Sequence, residues 1–310
     1  MKGQLNHPHL LGIQHLPLED ILLIFQTTDN FLKIQQGPIR KVPTLRDLTV
    51  VNLFFESSTR TRFSFELAER RLSADILNFS ADSSSVSKGE TLLDTVNNLI
   101  AMKVDMIVLR HPDPGAAIYL SNHIQANIIN AGDGTHEHPT QALLDSFTLM
   151  RLWGSLQDKK IAIVGDIRHS RVALSDIFAF TKLGAQVQVC GPKTLIPPFM
   201  ESLGVSVSYS LDNTLAWCDA VIMLRIQSER QEMAYYPSLR EYTLQYSLTR
   251  ERLEKQHKII PILHPGPINR GVEITSELAD SPQALILEQV ENGVAVRMAV
   301  LYLLAGVPGA

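Results

Sequence analysis

The segment "TVVNLFFESSTRTRFSFELAERRL", Thr49 to Leu72, decides the fold. Its first eight residues are apolar and β-rich and read as a strand. "RFSFELAERRLSA" reads as a helix, with Phe63, Leu67 and Ala74 on one face and Phe65, Ala68 and Leu72 on the opposite one. Apolar residues on two faces predict a helix packed between layers. Between strand and helix sit Ser57, Ser58, Thr59, Arg60, Thr61 and Arg62. A strand-to-helix turn at the carboxyl end of a strand is where α/β sheets take up ligands. The helix start offers unpaired N–H groups and a positive dipole end, the hydroxyls add donors, and a guanidinium fork suits phosphate oxygens. Taken alone, the segment fits equally well a Ser/Thr cap flanked by solvated arginines.

The rest of the chain supplies the context. "VDMIVLR" (Val104–Arg110), "ANIINAG" (Ala126–Gly132), "KKIAIVGD" (Lys159–Asp166), "AQVQVCGP" and "DAVIMLR" (Asp219–Arg225) are further short apolar strands. Helical patterns such as "GETLLDTVNNLIAM" and "RVALSDIFAFTKLG" lie between them. Apolar strands alternating with helices predict an α/β fold: two doubly wound parallel-sheet domains with a cleft between them. The helical stretch "HPTQALLDSFTLMRLWGSL" separates the two series, so the first domain is assigned residues 1–150 and the second 151–287. The apolar helix at 288–310 is expected to pack back on the first domain.

A chain of 310 residues, 45% of them hydrophobic, suits two ordinary domains. The net charge of −4 argues against bulk attraction to nucleic acid or an anionic membrane, so any cationic site must be local. No apolar run approaches membrane-spanning length and no signal-like core opens the chain, which points to the cytoplasm. Cys190 and Cys218, both in apolar contexts, read as buried reduced thiols rather than a disulfide or a metal pair.

The strand ends then accumulate chemistry. Arg110 closes "VLRHPDPG", and "INAGDGTHEHPTQALLD" leads to His138, Pro139 and Gln141 at a helix start. In the second half Arg171 stands at a helix start in "IVGDIRHSRVALSD", and "VIMLRIQSER" carries Arg225 and Gln227. "ILHPGPINRGVE" gives a loop, His264 to Pro267, whose prolines are expected to hold the chain extended and present backbone carbonyls. Cations at several strand ends of a net-negative chain imply a small ligand with several negative charges. No "GK" dipeptide and no G-x-G-x-x-G fingerprint occurs, which counts against a P-loop nucleotide or a dinucleotide oxidoreductase.

Seven segments in order, "SSTRTR", "SSSVSKGETLLDT", "LRHP", "HPTQALLD", "GDIRHSRVA", "LRIQSER" and "HPGPINRGVE", resemble the motifs of the aspartate/ornithine carbamoyltransferase family over essentially the whole chain. "HPTQ" and "HPGP" stand where ornithine enzymes carry "HPCQ" and "HCLP", so the resemblance is to the aspartate branch. It implies transfer of a carbamoyl group from carbamoyl phosphate to the amine of L-aspartate, with no metal or organic cofactor. Ser58, Thr59, Arg60 and Thr61 would grip the phosphate. Thr61, Arg110 and His138 would donate to the carbamoyl oxygen. Gln141, with the loop at Pro265, Gly266 and Pro267, would hold the carbamoyl amide. Arg171, Arg225 and Gln227 would bind the aspartate carboxylates. Ser84 and Lys88 would reach the site from a neighbouring subunit, which implies a homotrimer with shared sites. Regulatory or dihydroorotase chains are candidate partners of such a trimer. Two rival readings remain at this stage: a sister transcarbamylase for another amine such as ornithine, and a non-catalytic phosphate-binding homologue.

Overall fold

The computed structural model describes residues 4–38, 40–80, 90–227 and 235–306. The chain forms two compact units, Met1–Leu144 with Glu291–Ala310, and Asp145–Val290.

The first unit begins with α1 (Leu18–Gln36), β1 (Thr49–Phe54), α2 (Thr59–Leu72), β2 (Asp75–Ser80), α3 (Leu92–Ala101), β3 (Met106–His111), α4 (Ala116–Ser121), β4 (Asn127–Asp133) and α5 (Pro139–Trp153). Its four strands are parallel in the order β2-β1-β3-β4. One face of the sheet buries Val51, Leu53, Ile107, Leu109 and Ile128 against Val96, Ala117 and Leu120. Burying an aliphatic side chain of this size stabilises by roughly 1.5–3 kcal/mol. Leu10 covers the outer edge of β4, donating to the Ile128 carbonyl at 2.8 Å and accepting from the Asn130 N–H at 2.9 Å.

The second unit contains β5 (Lys160–Val164), α6 (Arg171–Lys182), β6 (Gln186–Cys190), β7 (Ser206–Ser208), α7 (Leu211–Trp217), β8 (Ala220–Met223), α8 (Leu239–Tyr246), α9 (Arg250–Glu254), β9 (Ile262–Leu263) and α10 (Ser276–Ala279). Its parallel sheet runs β7-β6-β5-β8-β9. The strands alternate strictly between two cores. Ile161, Ile163, Val187, Val189 and Ile222 pack with Ile177 and Phe180 of α6. Ala162, Val164, Val221 and Met223 pack with Leu211 and Leu215 of α7 and with Tyr242. A period of two with both faces covered is what a buried parallel sheet requires. Cys190 and Cys218 are buried in the second of these cores, and neither forms a disulfide. Burial pushes their thiols up to about 11 and about 12.

The last helix, α11 (Ile286–Ala305), begins in the second unit and ends in the first. There Arg297 donates to the Ser64 hydroxyl of α2 at 3.0 Å and lies over the Phe65 ring, while Phe31 of α1 meets Tyr302 edge-on. By compactness the units divide inside α5, at 144/145, six residues before the 150/151 boundary placed from the sequence, which lies in the same helix. A helix has no turn chemistry to mark such a crossing.

The two-faced reading of α2 needs correction. Phe65, Ala68 and Leu72 are buried, but Phe63 is 56% and Leu67 40% exposed. Ala74 lies beyond the helix, which stops where Ser73 turns left-handed with φ 68°. One face packs on the sheet. The other meets no layer among the described residues.

Candidate active site

In the first unit the candidate ligand-binding residues sit at the carboxyl ends of three adjacent strands. α2 starts with Ser58 as its N-cap, yet the Ser58 side chain makes no capping hydrogen bond. The cap residues of α3, α6, α7, α8 and α9 all accept from a helix N–H. α2 also carries no acidic residue in its first turn. Its N-terminus therefore keeps a free hydroxyl and an unopposed dipole end, with Thr59 and Arg60 exposed and Thr61 only 9% exposed. This is a cradle for an oxyanion.

Arg110 is at the end of β3, in register with Phe54 of β1. Its guanidinium donates to the Ala131 carbonyl of β4 at 3.0 Å and to Glu56 Oε1 at 3.1 Å, so it is aimed along the strand ends. Glu56 is a site element the sequence reading missed, although it directly precedes the serines.

His138 follows β4 and is 5% exposed; its carbonyl accepts from the Gln141 N–H at 3.0 Å as α5 begins. The turn ahead of it is fixed by two carboxylates. Asp133 accepts from the Gly115 N–H at 2.6 Å, from Asn130 at 2.9 Å and from the Glu137 N–H at 3.1 Å. Glu137 accepts from the Ile13 and Gln14 N–H groups at 2.7 and 3.1 Å. Burial pushes the Asp133 carboxyl up, but hydrogen bonds from His136, Asn130 and Gly115 outweigh this and hold it below the usual range. The hydrogen bond to Asp133 raises the His136 imidazole in return.

In the second unit Arg171 is the first residue of α6 and only 4% exposed. A guanidinium at the positive end of a helix occupies a place that favours negative charge. The turn leading to it is built on Asp166, which accepts from the His169 N–H at 3.2 Å and ring Nδ1 at 2.8 Å. Gly165 has φ 131°, and a Cβ there would stand 2.7 Å from the Leu224 carbonyl oxygen, so the turn requires glycine. After the neighbouring strand β8, Gln227 donates to the His169 carbonyl at 3.0 Å. The structure thus brings the Arg171 turn and the half-buried Arg225–Gln227 segment to one edge of this sheet.

The loop after β9 differs from its expected form. It is not extended throughout: Gly266 has φ 65°, and the Gly266–Pro267 bond is cis. The His264 ring imposes the turn, its Nδ1 accepting from the Gly266 N–H at 2.8 Å. Since Nδ1 accepts, Nε2 carries the hydrogen and donates to Glu273 at 3.0 Å. Glu273 also accepts from the Asn269 N–H at 2.6 Å, and Asn269 donates to the Ile226 carbonyl at 3.4 Å. Ser84 and Lys88 lie outside the described residues. A cavity of about 450 Å³ at the amino-terminal edge of the second sheet, lined by Trp153, Lys159, Asp219 and Pro261, stands apart from all these residues. Among the described residues no cluster of three His, Cys, Asp or Glu could hold a metal ion, and no helix is long and apolar enough to cross a membrane.

Two parallel-sheet units, the first with cationic and hydroxylic groups and the second with arginines and a glutamine at its strand ends, fit a two-substrate transferase of anionic reactants, and the comparisons are specific. Residues 8–151 match the carbamoyl-phosphate-binding domain of aspartate/ornithine carbamoyltransferases, and residues 157–304 match the Asp/Orn-binding domain. The chain belongs to the aspartate/ornithine carbamoyltransferase family. It is 63% identical to the aspartate carbamoyltransferase catalytic subunit of Christiangramia forsetii over 98% of both chains. Identity to the Flavobacterium psychrophilum catalytic subunit is 61%, over 97% of this chain and 98% of that one. Among solved structures, the catalytic subunit of M. jannaschii aspartate transcarbamoylase is 35% identical with a TM-score of 0.84, covering 97% of this chain and 98% of that one. The Trypanosoma cruzi aspartate transcarbamoylase in complex with N-(phosphonacetyl)-L-aspartic acid is 28% identical with a TM-score of 0.87, covering 97% and 95%.

Proposed function

We propose that this chain transfers the carbamoyl group of carbamoyl phosphate to the amine of L-aspartate, giving N-carbamoyl-L-aspartate and phosphate, a step of pyrimidine biosynthesis. The observation that carries the reading is the start of α2: a helix N-terminus with its cap hydroxyl unspent, no acid in its first turn, and Arg60 and Thr61 beside it. Ser58, Thr59, Arg60 and Thr61 bind the phosphate. Arg60 stabilises the charge that grows on the leaving oxygen, an interaction stronger in the transition state than in the ground state. Thr61, Arg110 and His138 donate to the carbamoyl oxygen as it becomes an oxyanion. Gln141 and the loop at Pro265, Gly266 and Pro267 hold the carbamoyl amide. Arg171, helped by Arg110, takes the α-carboxylate of aspartate, and Arg225 and Gln227 take the β-carboxylate.

The amine attacks in its neutral form, the carbon–oxygen bond to phosphate breaks, and the departing phosphate takes the amine's proton. No side chain needs to act as a general base. Two anions that repel in water are held in attack geometry by fixed cations. Ornithine, with a cationic side chain, would find donors where it needs an acid. Ser84 and Lys88 complete the site from a neighbouring copy in a homotrimer, to which regulatory or dihydroorotase chains could attach. The test is a steady-state assay with carbamoyl phosphate and L-aspartate, ornithine or N-acetylornithine. Turnover with aspartate alone is expected; turnover with ornithine in its place would move the chain to the sister branch.

A further inference from the structure

Beneath the His264–Pro267 loop runs a set of buried polar groups that no substrate contact explains. The His264 N–H donates to Gln289 Oε1 at 2.9 Å, and Gln289 Nε2 donates to Asp145 Oδ1 at 2.6 Å. Asp145 faces Asp176 of α6, and among the described residues neither carboxylate oxygen of Asp176 has a hydrogen-bond donor, nor does Asp145 Oδ2. Asp145 and Asp176 are both 0% exposed. We infer that Asp176, Asp145 and Gln289 form a positioning relay that sets the carbamoyl-phosphate loop through His264, with one proton held between the two carboxyl groups.

Two carboxylates in contact inside a core cannot both be charged. The proton belongs on Asp176. Gln289 donates to Asp145 and so favours its ionised form, whereas among the described residues Asp176 receives no donor. Burial, and then the Asp145 charge, push the Asp176 carboxyl well above its ordinary range. Protonated Asp176 donates to Asp145, and Asp145 holds the Gln289 amide. With its Nε2 committed, the amide must present Oε1 to the His264 N–H. His264 then fixes Gly266 through Nδ1 and Glu273 through Nε2. Every bond in the series has one allowed direction. Asp145 on α5 is the ionisable group acting on Asp176, and Gln289 on α11 is neutral, so one protonation state sets the orientation of the whole relay.

The catalytic part of this inference rests on Gly266 and Pro267 touching carbamoyl phosphate; the proton part does not. Asp176→Asn keeps a donor to Asp145 without needing a proton, and Asp176→Leu keeps the size and removes the donor. The Kd for carbamoyl phosphate and the kcat should stay within about twofold of native in Asp176→Asn. In Asp176→Leu, or in Gln289→Met if that chain does not fold, the Kd should rise about tenfold or more, the weight of one directed hydrogen bond. Infrared spectra at pH 7.5 should show a protonated-carboxyl band in the native chain that Asp176→Asn lacks. Asp176 releases its proton on unfolding, so the native urea midpoint should fall, relative to Asp176→Asn, as pH rises above the carboxylic range. Equal loss of binding in the Asn and Leu variants, or no such band in the native chain, overturns the relay. Failure of the native chain to bind carbamoyl phosphate would instead overturn the proposed function, while the infrared and urea measurements still decide the shared proton.

Discussion

Arg60 and Arg171 stand in the first turns of α2 and α6, where a cation is the least favoured charge and an anion the most. Residues placed against local stability are placed for a ligand. Arg60→Ala should therefore leave the fold intact and raise its stability slightly, by about 0.3–1 kcal/mol, while turnover falls by about 10²–10³-fold or more. Thermal denaturation beside a steady-state assay checks both. A Tm loss matching the loss of activity would mean Arg60 is structural. Arg60, Arg110 and His138 could be placed near strand ends from the sequence because each lies at or shortly after the end of an apolar strand, and parallel order then puts them on one edge. Glu56 as the partner of Arg110 was not legible, nor was Gln289 as the partner of Asp145. Those pairs are 54 and 144 residues apart, and only the fold brings them together.

Among the elements, the central strands could be read and the edges could not. β1, β3, β5, β6 and β8 have a strand on both edges and are largely buried, with the exposed Gln186 and half-buried Gln188 of β6 as exceptions. The unread strands β2, β7 and β9 are all sheet edges. An edge strand has one neighbour and can be short or polar, as "SVS" in β7 and the two-residue β9 are. β4 is also an edge but was legible, since Leu10 closes its outer side and all seven of its residues are buried. The join between α2 and β1 carries its own pH dependence. Burial pushes the Glu69 carboxyl up to about 8, against a hydrogen bond from Asn52 at 2.8 Å. Glu69 is thus protonated in the fold and ionised in the unfolded chain at neutral pH. Its contribution to stability is full below the ordinary glutamate range and is lost as pH rises towards 8. Glu69→Gln should leave stability unchanged near pH 4 and raise it by a few kcal/mol at pH 8. Urea midpoints at the two pH values check this; a gain that is the same at both would show that proton uptake is not the cause.

At the scale of the molecule, the proposed function divides the labour between the units: oxyanion binding and carbonyl polarisation in the first, carboxylate binding in the second. Sites shared between copies, as proposed, would show as complementation. Lys88→Ala and His138→Ala chains, each inactive alone, should regain part of the native activity when dissociated, mixed and reassembled, because some sites then combine one intact half from each. No recovery would place Lys88 in its own chain's site. The central claim, that the donors of both units grip one pair of anionic reactants, is tested most directly by calorimetric titration with N-(phosphonacetyl)-L-aspartate. The native chain should bind one equivalent per site. Arg60→Ala and Arg171→Ala should each weaken binding by about 2 kcal/mol or more, roughly 30-fold, as expected when one partner of a charge-assisted contact is removed. Unchanged affinity in either variant, or no binding by the native chain, would contradict the account.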